Sequence, residues 1–453
     1  MAQVKIADRV DNVFNNMFNA EQRAATNAML KTWESGDSFV LPIVDGPPGT
    51  GKTKVGTIAA AKYILENPGE KVTYLCFTHF ATDWAWRALQ DLDFTPDSVI
   101  RLHHNPELTD WKKGIVGCRS DLTPLSRVEK AKLSNCGILL STLYGAKRAF
   151  ALQSKPKIII DEFSQVSPPM FFSILYRAYD CNPLGYALLG DPIQLPIITT
   201  QPNLLPNIGL YIMRRKMFDY EPHRLVEQHR MHEKICQAVN SIRRQAFHTY
   251  PLKTAERVRH RDLTGLKYRW DENKTPKEFR QIIDPANPVV LVNTDECKPE
   301  DQIMGSTYNG KEAQFAVSLA EAIHNSFENQ DGSRLVPVLL SPYAAQVGEI
   351  RRLLPSALRW YEQGQPSCIT IYRSQGREYP CVILSLVRNN TTGFIGFLEK
   401  SEVKAQTYVA CSRAQAKLIV LLSYKTFLGH AHADFEALYS SDVLRVDMSG
   451  NTL

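Results

Sequence analysis

The sequence predicts an α/β protein made of two parallel-sheet domains in tandem, each with a small insertion. Three observations lead there. Short apolar runs alternate with helical stretches along almost the whole chain. The runs are continuously apolar rather than alternating, as in strands buried on both faces of a parallel sheet. The 453 residues, 44% hydrophobic and 22% charged, are enough for more than one core.

In chain order, the first strand candidates are residues 38–45, 71–77, 137–141, 157–161 and 185–190. A second set follows at 287–293, 334–341, 367–371, 380–387 and 417–423. Between the sets lie a Pro/Asn-rich stretch, Thr199 to Asn207, and a short basic helix candidate around Arg214–Lys216. That places a boundary near residue 220, with residues 1–220 as the first domain and 221–453 as the second. Residues 92–130 and 241–285 are polar, fit neither sheet and are read as insertions.

The composition argues against disorder, collagen-like repeats and a membrane protein. No apolar run reaches the ~18–20 residues that span a bilayer, and the first residues lack the apolar stretch of a secretory signal. A soluble, intracellular chain is expected, cytoplasmic or nuclear, with no membrane partner. The nine cysteines are scattered with no C-x₂-C pair, which predicts buried thiols rather than a zinc cluster or disulfide framework. A net charge of +6 permits nucleic-acid binding without requiring it.

Gly46-Pro47-Pro48-Gly49-Thr50-Gly51-Lys52-Thr53 satisfies G-x₄-G-K-[ST] directly after a strand ending at Asp45. Strand, glycine-rich turn and helix start are what a triphosphate requires, because loop N–H groups and the positive helix end hold phosphate oxygens. Lys52 would reach the β- and γ-phosphates, and the Thr53 hydroxyl would bind Mg²⁺. The fourth strand ends in Asp161-Glu162, which places Asp161 at the metal and Glu162 at the attacking water. ATP and Mg²⁺ are therefore the expected cofactors. Gln194 follows the fifth strand at the crevice end of the sheet, either near the γ-phosphate and water or as an ordinary loop glutamine.

With these residues in order, the sequence resembles superfamily 1 helicases, and within them the up-frameshift branch with its nidovirus relatives. The resemblance runs from about Phe18 to Leu422. Phe18 to Gln22 looks like the Q motif, whose glutamine reads adenine. Thr78 to Asp83 is similar to motif Ia, Ser141-Thr142 to motif Ic, Asp161 to Gln165 to motif II, and Gly190 to Pro196 to motif III. Glu227-Gln228-His229-Arg230-Met231-His232 resembles motif IV. Asn309 with Glu312-Ala313, and Ser341 to Gln346, resemble two smaller signatures. Gln375-Gly376-Arg377-Glu378 looks like motif V, and Val409 to Ala414 like motif VI.

The resemblance implies two RecA-like domains with ATP hydrolysed in the cleft between them. It implies arginine fingers at Arg230 and Arg413, a base-stacking place at His229 and a ribose contact at Glu378. It also implies nucleic-acid contacts at Thr78, Thr142, Pro342 and Thr370. This chain departs from the family at His229, Tyr372, Pro380, Tyr408 and Gln415, none of which removes a core catalytic group.

Residues 243–269 hold eight basic side chains against two acidic ones, with Phe247, Tyr250, Tyr268 and Trp270 among or beside them. The stretch reads either as a single-strand contact or as a solvated basic insertion whose aromatics turn to the core. Trp84 and Trp86 read as core, and His103-His104 as no metal site. The function expected is an ATP-dependent 5′-to-3′ helicase or translocase on single strands, with RNA ahead of DNA. The alternative is an ATP-gated RNA clamp that barely unwinds. A monomer is expected, with a protein adaptor as a further partner.

Overall fold

A computed structural model describes the chain apart from residues 1, 36–40, 120–121, 123–124, 198–206, 216–221, 362–363 and 400–404. The Thr199–Asn207 stretch, except Asn207, and Lys216 of the expected basic helix lie outside the described residues; the helix itself is Ile208–Arg215.

The first sheet has eight strands: β1 Ile43–Asp45, β2 Val72–Cys76, β3 Val99–His103, β4 Ile115–Gly117, β5 Ile138–Thr142, β6 Lys157–Asp161, β7 Gly185–Gly190 and β8 His223–Arg224. Their order is β4-β3-β5-β2-β6-β7-β1-β8, and every pairing is parallel. Helices cover both faces, so Val, Ile and Leu in the central strands are fully buried.

Two sequence expectations change here. Residues 92–130 are not wholly an insertion, because β3 and β4 extend the sheet at one edge. Their pattern hid this, since Arg101 sits buried inside β3 and pairs with Asp83 of the helix His79–Gln90. The first domain also runs past residue 220, because β8 pairs with β1 at the opposite edge. The chain divides into two units, Met1–Val226 and Glu227–Leu453.

The second unit has a six-stranded sheet, again wholly parallel. In spatial order its strands are Cys368–Thr370, Val338–Ser341, Tyr379–Ser385, Ala414–Leu422, Val289–Asn293 and Leu444–Asp447. Both units are thus parallel α/β sheets of the RecA-like kind, and the expected fold class holds. Much of 241–285 stays outside this sheet; Tyr268–Trp270 pairs instead with Phe327–Asn329 in a separate ribbon. All nine cysteines are free and buried. Among the described residues no helix is long and apolar enough to cross a membrane.

Candidate active site

The phosphate loop leaves β1 and enters the helix Lys52–Glu66 through two glycines in the left-handed region, Gly49 (φ 81°) and Gly51 (φ 84°). A Cβ on Gly46 would overlap the Lys52 side chain, so this position admits only glycine. The loop is tied back by the Gly46 N–H donating to Gly190 O (2.8 Å) and the Thr50 hydroxyl donating to Pro47 O (2.7 Å). Gln22 is buried, and its Nε2 donates to Thr50 O at 3.0 Å. The glutamine expected to read adenine therefore also braces the loop from the helix Ala20–Ser35.

Asp161 ends β6 and is buried. Its Oδ2 accepts from the Thr53 hydroxyl and from the Tyr74 hydroxyl, each at 2.8 Å, and its Oδ1 accepts from the Glu162 N–H at 2.8 Å. Burial raises its pKa, the neighbouring Glu162 adds to the rise, and Lys52 and Thr53 oppose it. A buried carboxylate beside a threonine hydroxyl forms an all-oxygen donor set, which suits a hard cation such as Mg²⁺. Glu162 takes left-handed backbone angles (φ 59°, ψ 49°), a strain of roughly 1–3 kcal/mol of the kind that gathers at functional sites. Its Oε2 is buried with no hydrogen-bond partner. A carboxylate oxygen left in that state needs a water, a proton or a cation. Gln194 is buried in the turn after β7, held by its N–H donating to Asp191 O (3.1 Å).

In the second unit, Gln228 organises the turn that carries Arg230. Its Oε1 accepts from the N–H groups of Arg230 (2.9 Å) and Met231 (2.7 Å), while Nε2 donates to Met231 O (2.8 Å). The Arg230 guanidinium donates to Glu378 Oε2 (2.6 Å) and to Ser412 O (3.1 Å). The other Glu378 oxygen accepts from Gln415 Nε2 at 2.8 Å. Burial alone would raise the Glu378 pKa, but Arg230 beside it brings it below the usual carboxylate value. Arg413 is fully buried and donates to Val409 O (3.0 Å), Arg377 O (3.1 Å) and Ser412 Oγ (3.2 Å). His229 lies next to Arg230, with its Nε2 3.4 Å from Glu227 Oε1.

The residues expected to touch nucleic acid fall at strand ends within each unit. Thr142 ends β5 and Thr78 follows β2; these strands are neighbours, with Cys76 opposite Thr142. Thr78 caps the helix His79–Gln90, its hydroxyl accepting from the Ala81 N–H (3.1 Å). Pro342 follows Ser341, which lies opposite Thr370 on the adjacent strand.

Family profiles match this chain over both units. An AAA domain profile matches residues 17–261, more than half of the chain, and a second AAA domain profile matches residues 211–425. The chain belongs to the AAA domain family. It is 26% identical over 435 residues to the DNA replication ATP-dependent helicase/nuclease DNA2 of Mus musculus, covering 91% of this chain and 38% of that one. It is 28% identical over 416 residues to the Homo sapiens protein of that name, covering 89% and 37%. With the DNA polymerase alpha-associated DNA helicase A of Saccharomyces cerevisiae it shares 25% identity over 484 residues, covering 91% and 66%. The AAA-family chain thus spans little more than a third of the first two relatives.

Three regions of this AAA-family chain differ from their sequence reading or extend it. His103 and His104 are joined by His79, with ring centroids 4.4–4.9 Å apart and ligand-capable nitrogens within 4.8 Å of one another. The hydrogen bonds decide what this group can do. His79 Nδ1 accepts from the Arg101 guanidinium (3.1 Å), and His103 Nδ1 accepts from the Asn105 N–H (3.0 Å). Both neutral rings therefore carry their proton on Nε2, whereas a ligating histidine donates from its second nitrogen. Burial, then Arg101, lowers both pKa values, His103 to about 4. With Nδ1 of His79 and His103 taken up as acceptors, neither ring offers the second-nitrogen donor that orients a ligating histidine.

Trp84 is 50% exposed rather than core, edge-on to Phe80, while Trp86 packs against the core. In the basic stretch, the aromatics turn inward. Arg243 is buried against Tyr250 and Tyr408, with its Nη1 donating to Tyr408 OH (2.8 Å). Phe247 leans on Tyr408, and Trp270 stacks on Phe327. Tyr408 thus ties this stretch to the helix Ala405–Cys411, which ends two residues before Arg413. Arg259 is paired with Glu256 and Glu233.

Proposed function

We propose that the chain is an ATP-driven motor on single-stranded nucleic acid that translocates or unwinds in the 5′-to-3′ direction. One observation carries the reading: Lys52, Thr53, Asp161 and a Glu162 carboxylate with an unpartnered buried oxygen are gathered around one phosphate loop. In this reading Lys52 and the loop N–H groups bind the β- and γ-phosphates, and Thr53 and Asp161 hold Mg²⁺. The ion would neutralise phosphate charge as it develops. Glu162 orients and deprotonates the attacking water, and Arg230 and Arg413 stabilise the transferring phosphoryl group. Gln22 and His229 hold the base, and Glu378 the ribose.

We put DNA ahead of RNA, reversing the order expected from the sequence, because the relatives are by name DNA replication and DNA helicase proteins. Descent within the up-frameshift-like branch rests on the motif order alone. Thr78, Thr142, Pro342 and Thr370 are assigned to the phosphate backbone of the strand.

The test is ATPase activity with and without oligo-dT and poly-U, followed by strand displacement on duplexes tailed at either end. Stimulation by oligo-dT and displacement from a 5′ tail are expected. No stimulation by any polynucleotide would remove the motor reading. Stimulation without displacement would make the chain an ATP-gated clamp, a reading to which the altered motif V residues Tyr372 and Pro380 point.

A further inference from the structure

Thr78 and Thr142 open onto a cavity of about 620 Å³, walled also by Tyr144, Lys147, Arg148 and Arg177. A second cavity, about 1370 Å³, reaches Lys71 at the opposite end of β2. The two share Lys147 and Arg177, so they form one band across the helices Ala146–Phe150 and Pro168–Ala178. Cations recur along it: Arg148 and Lys147 at the near end, Arg177 in the middle, Lys71 at the far end. Asp180 is the acid among the far-end lining residues. Arg148 is 8% exposed, and its Nε is buried without a partner although Nη1 donates to Cys118 O (2.8 Å).

Aromatic rings alternate with these cations and face solvent. Tyr144 is 69% exposed, Tyr176 83% and Tyr179 81%. Tyr144 tilts against Phe77, ring centroids 5.9 Å apart, while the rings of Tyr176 and Tyr179 stand out of the core. Repeated cations with flat, exposed rings between them match a polyanion carrying a base at every charge. A phosphopeptide calls instead for one dense anion pocket.

We propose that the single strand continues beyond Thr78 and Thr142 along this band, stacking bases on Tyr144, Tyr176 and Tyr179 and setting phosphates against Lys147, Arg177 and Lys71. This rests on the single-strand motor reading and lengthens its track on the first unit.

The test uses fluorescence anisotropy with labelled oligo-dT of about 8 and about 30 nucleotides, bracketing typical single-strand site sizes. Replacing Tyr176 and Tyr179 together by Ala should weaken the long oligonucleotide by about tenfold and leave the short one unchanged. Arg177→Ala should lower the salt dependence of long-oligonucleotide binding by about one phosphate contact. ATPase stimulated by the short oligonucleotide should stay at the parent level in both variants, and thermal unfolding should not move. Undiminished binding of the long oligonucleotide by the tyrosine variant overturns the proposal, as does an equal loss for both lengths. A parent protein that binds neither oligonucleotide, with unstimulated ATPase, removes the motor reading along with it. If a phosphorylated acidic peptide binds the parent and is lost in Arg177→Ala while oligonucleotide binding persists, the band belongs to a protein partner instead.

Discussion

The groups gathered at the phosphate loop and the arginines of the second unit are prepared in opposite ways. At the loop, the glycine backbone, Gln22 and the Thr53–Asp161 bond fix the geometry in advance, and Glu162 keeps an unpartnered carboxylate oxygen. In the second unit the guanidinium groups are already engaged. Arg230 is paired with Glu378 and Ser412 O, and Arg413 with two backbone carbonyls and Ser412 Oγ. The loop is set before any ligand arrives, whereas an Arg230 with the proposed role would first have to give up the Glu378 carboxylate. Binding and turnover should therefore come apart under mutation.

The sharpest break is Arg230→Ala. It should lower kcat by about 10³-fold, the low end for an arginine finger, while ATP binding measured by equilibrium titration stays near the parent value. A parent-like kcat would leave the guanidinium with a structural role only. Arg413 is a poorer probe, because its fully buried guanidinium also donates to Val409 O and Arg377 O, so its removal disturbs local structure along with any chemistry. On the loop side, Glu162→Gln should cost about 10²-fold or more in kcat and let ATP accumulate on the protein. Hydrolysis at the parent rate would refute the role of general base. Glu378→Gln is milder: KM for ATP should rise by about fivefold for one lost charge-assisted hydrogen bond, with kcat maintained because Arg230 is released. If kcat instead falls as far as in Arg230→Ala, the pair works as a unit and the contrast drawn above is wrong.

What the sequence displayed follows the same division. The loop was legible because its chemistry is local: eight consecutive residues carry the turn, the lysine and the hydroxyl, and the apolar strand before Asp161 marks the metal side. The long central strands were legible for the same reason. Edge strands were not: β3 holds Arg101, β4 spans Ile115–Gly117, β8 is a His-Arg pair, and Leu444–Asp447 alternates apolar and charged residues. A buried arginine reads as polar until its partner is seen, and Asp83 is 18 positions away. The histidine group is likewise invisible in one dimension, since His79 lies on another element. The aromatics of 243–270 were the opposite case. Their interleaving with arginines leaves a single-strand contact and an insertion with inward aromatics both open; Arg243 is buried and Trp270 stacks inside, while the exposed tyrosines lie near residues 144–179. Exposure decides between these two stretches, and composition does not carry it.

A buried carboxylate in each unit gives the smallest contrast and a direct pH test. Asp161 is set among groups proposed to take a cation, whereas Glu312 is fully buried among neutral donors: Ser385 Oγ (2.6 Å), the Val387 N–H (2.9 Å) and Thr294 Oγ1 (3.1 Å). Burial pushes the Glu312 pKa up to about 7, against the pull of Ser385 and the other donors. A folded pKa above the unfolded value near 4.5 means the native state holds the extra proton between those limits. The associated stability is complete below pH 4.5 and is lost as pH rises to about 7 and beyond, a change of about 3 kcal/mol. Glu312→Gln keeps the shape and removes the titration. Urea unfolding from pH 4.5 to 8 should show the parent losing stability across that window relative to the variant, with the gap levelling off above about pH 7. Parallel curves for the two proteins would mean that the surrounding donors already satisfy an ionised Glu312.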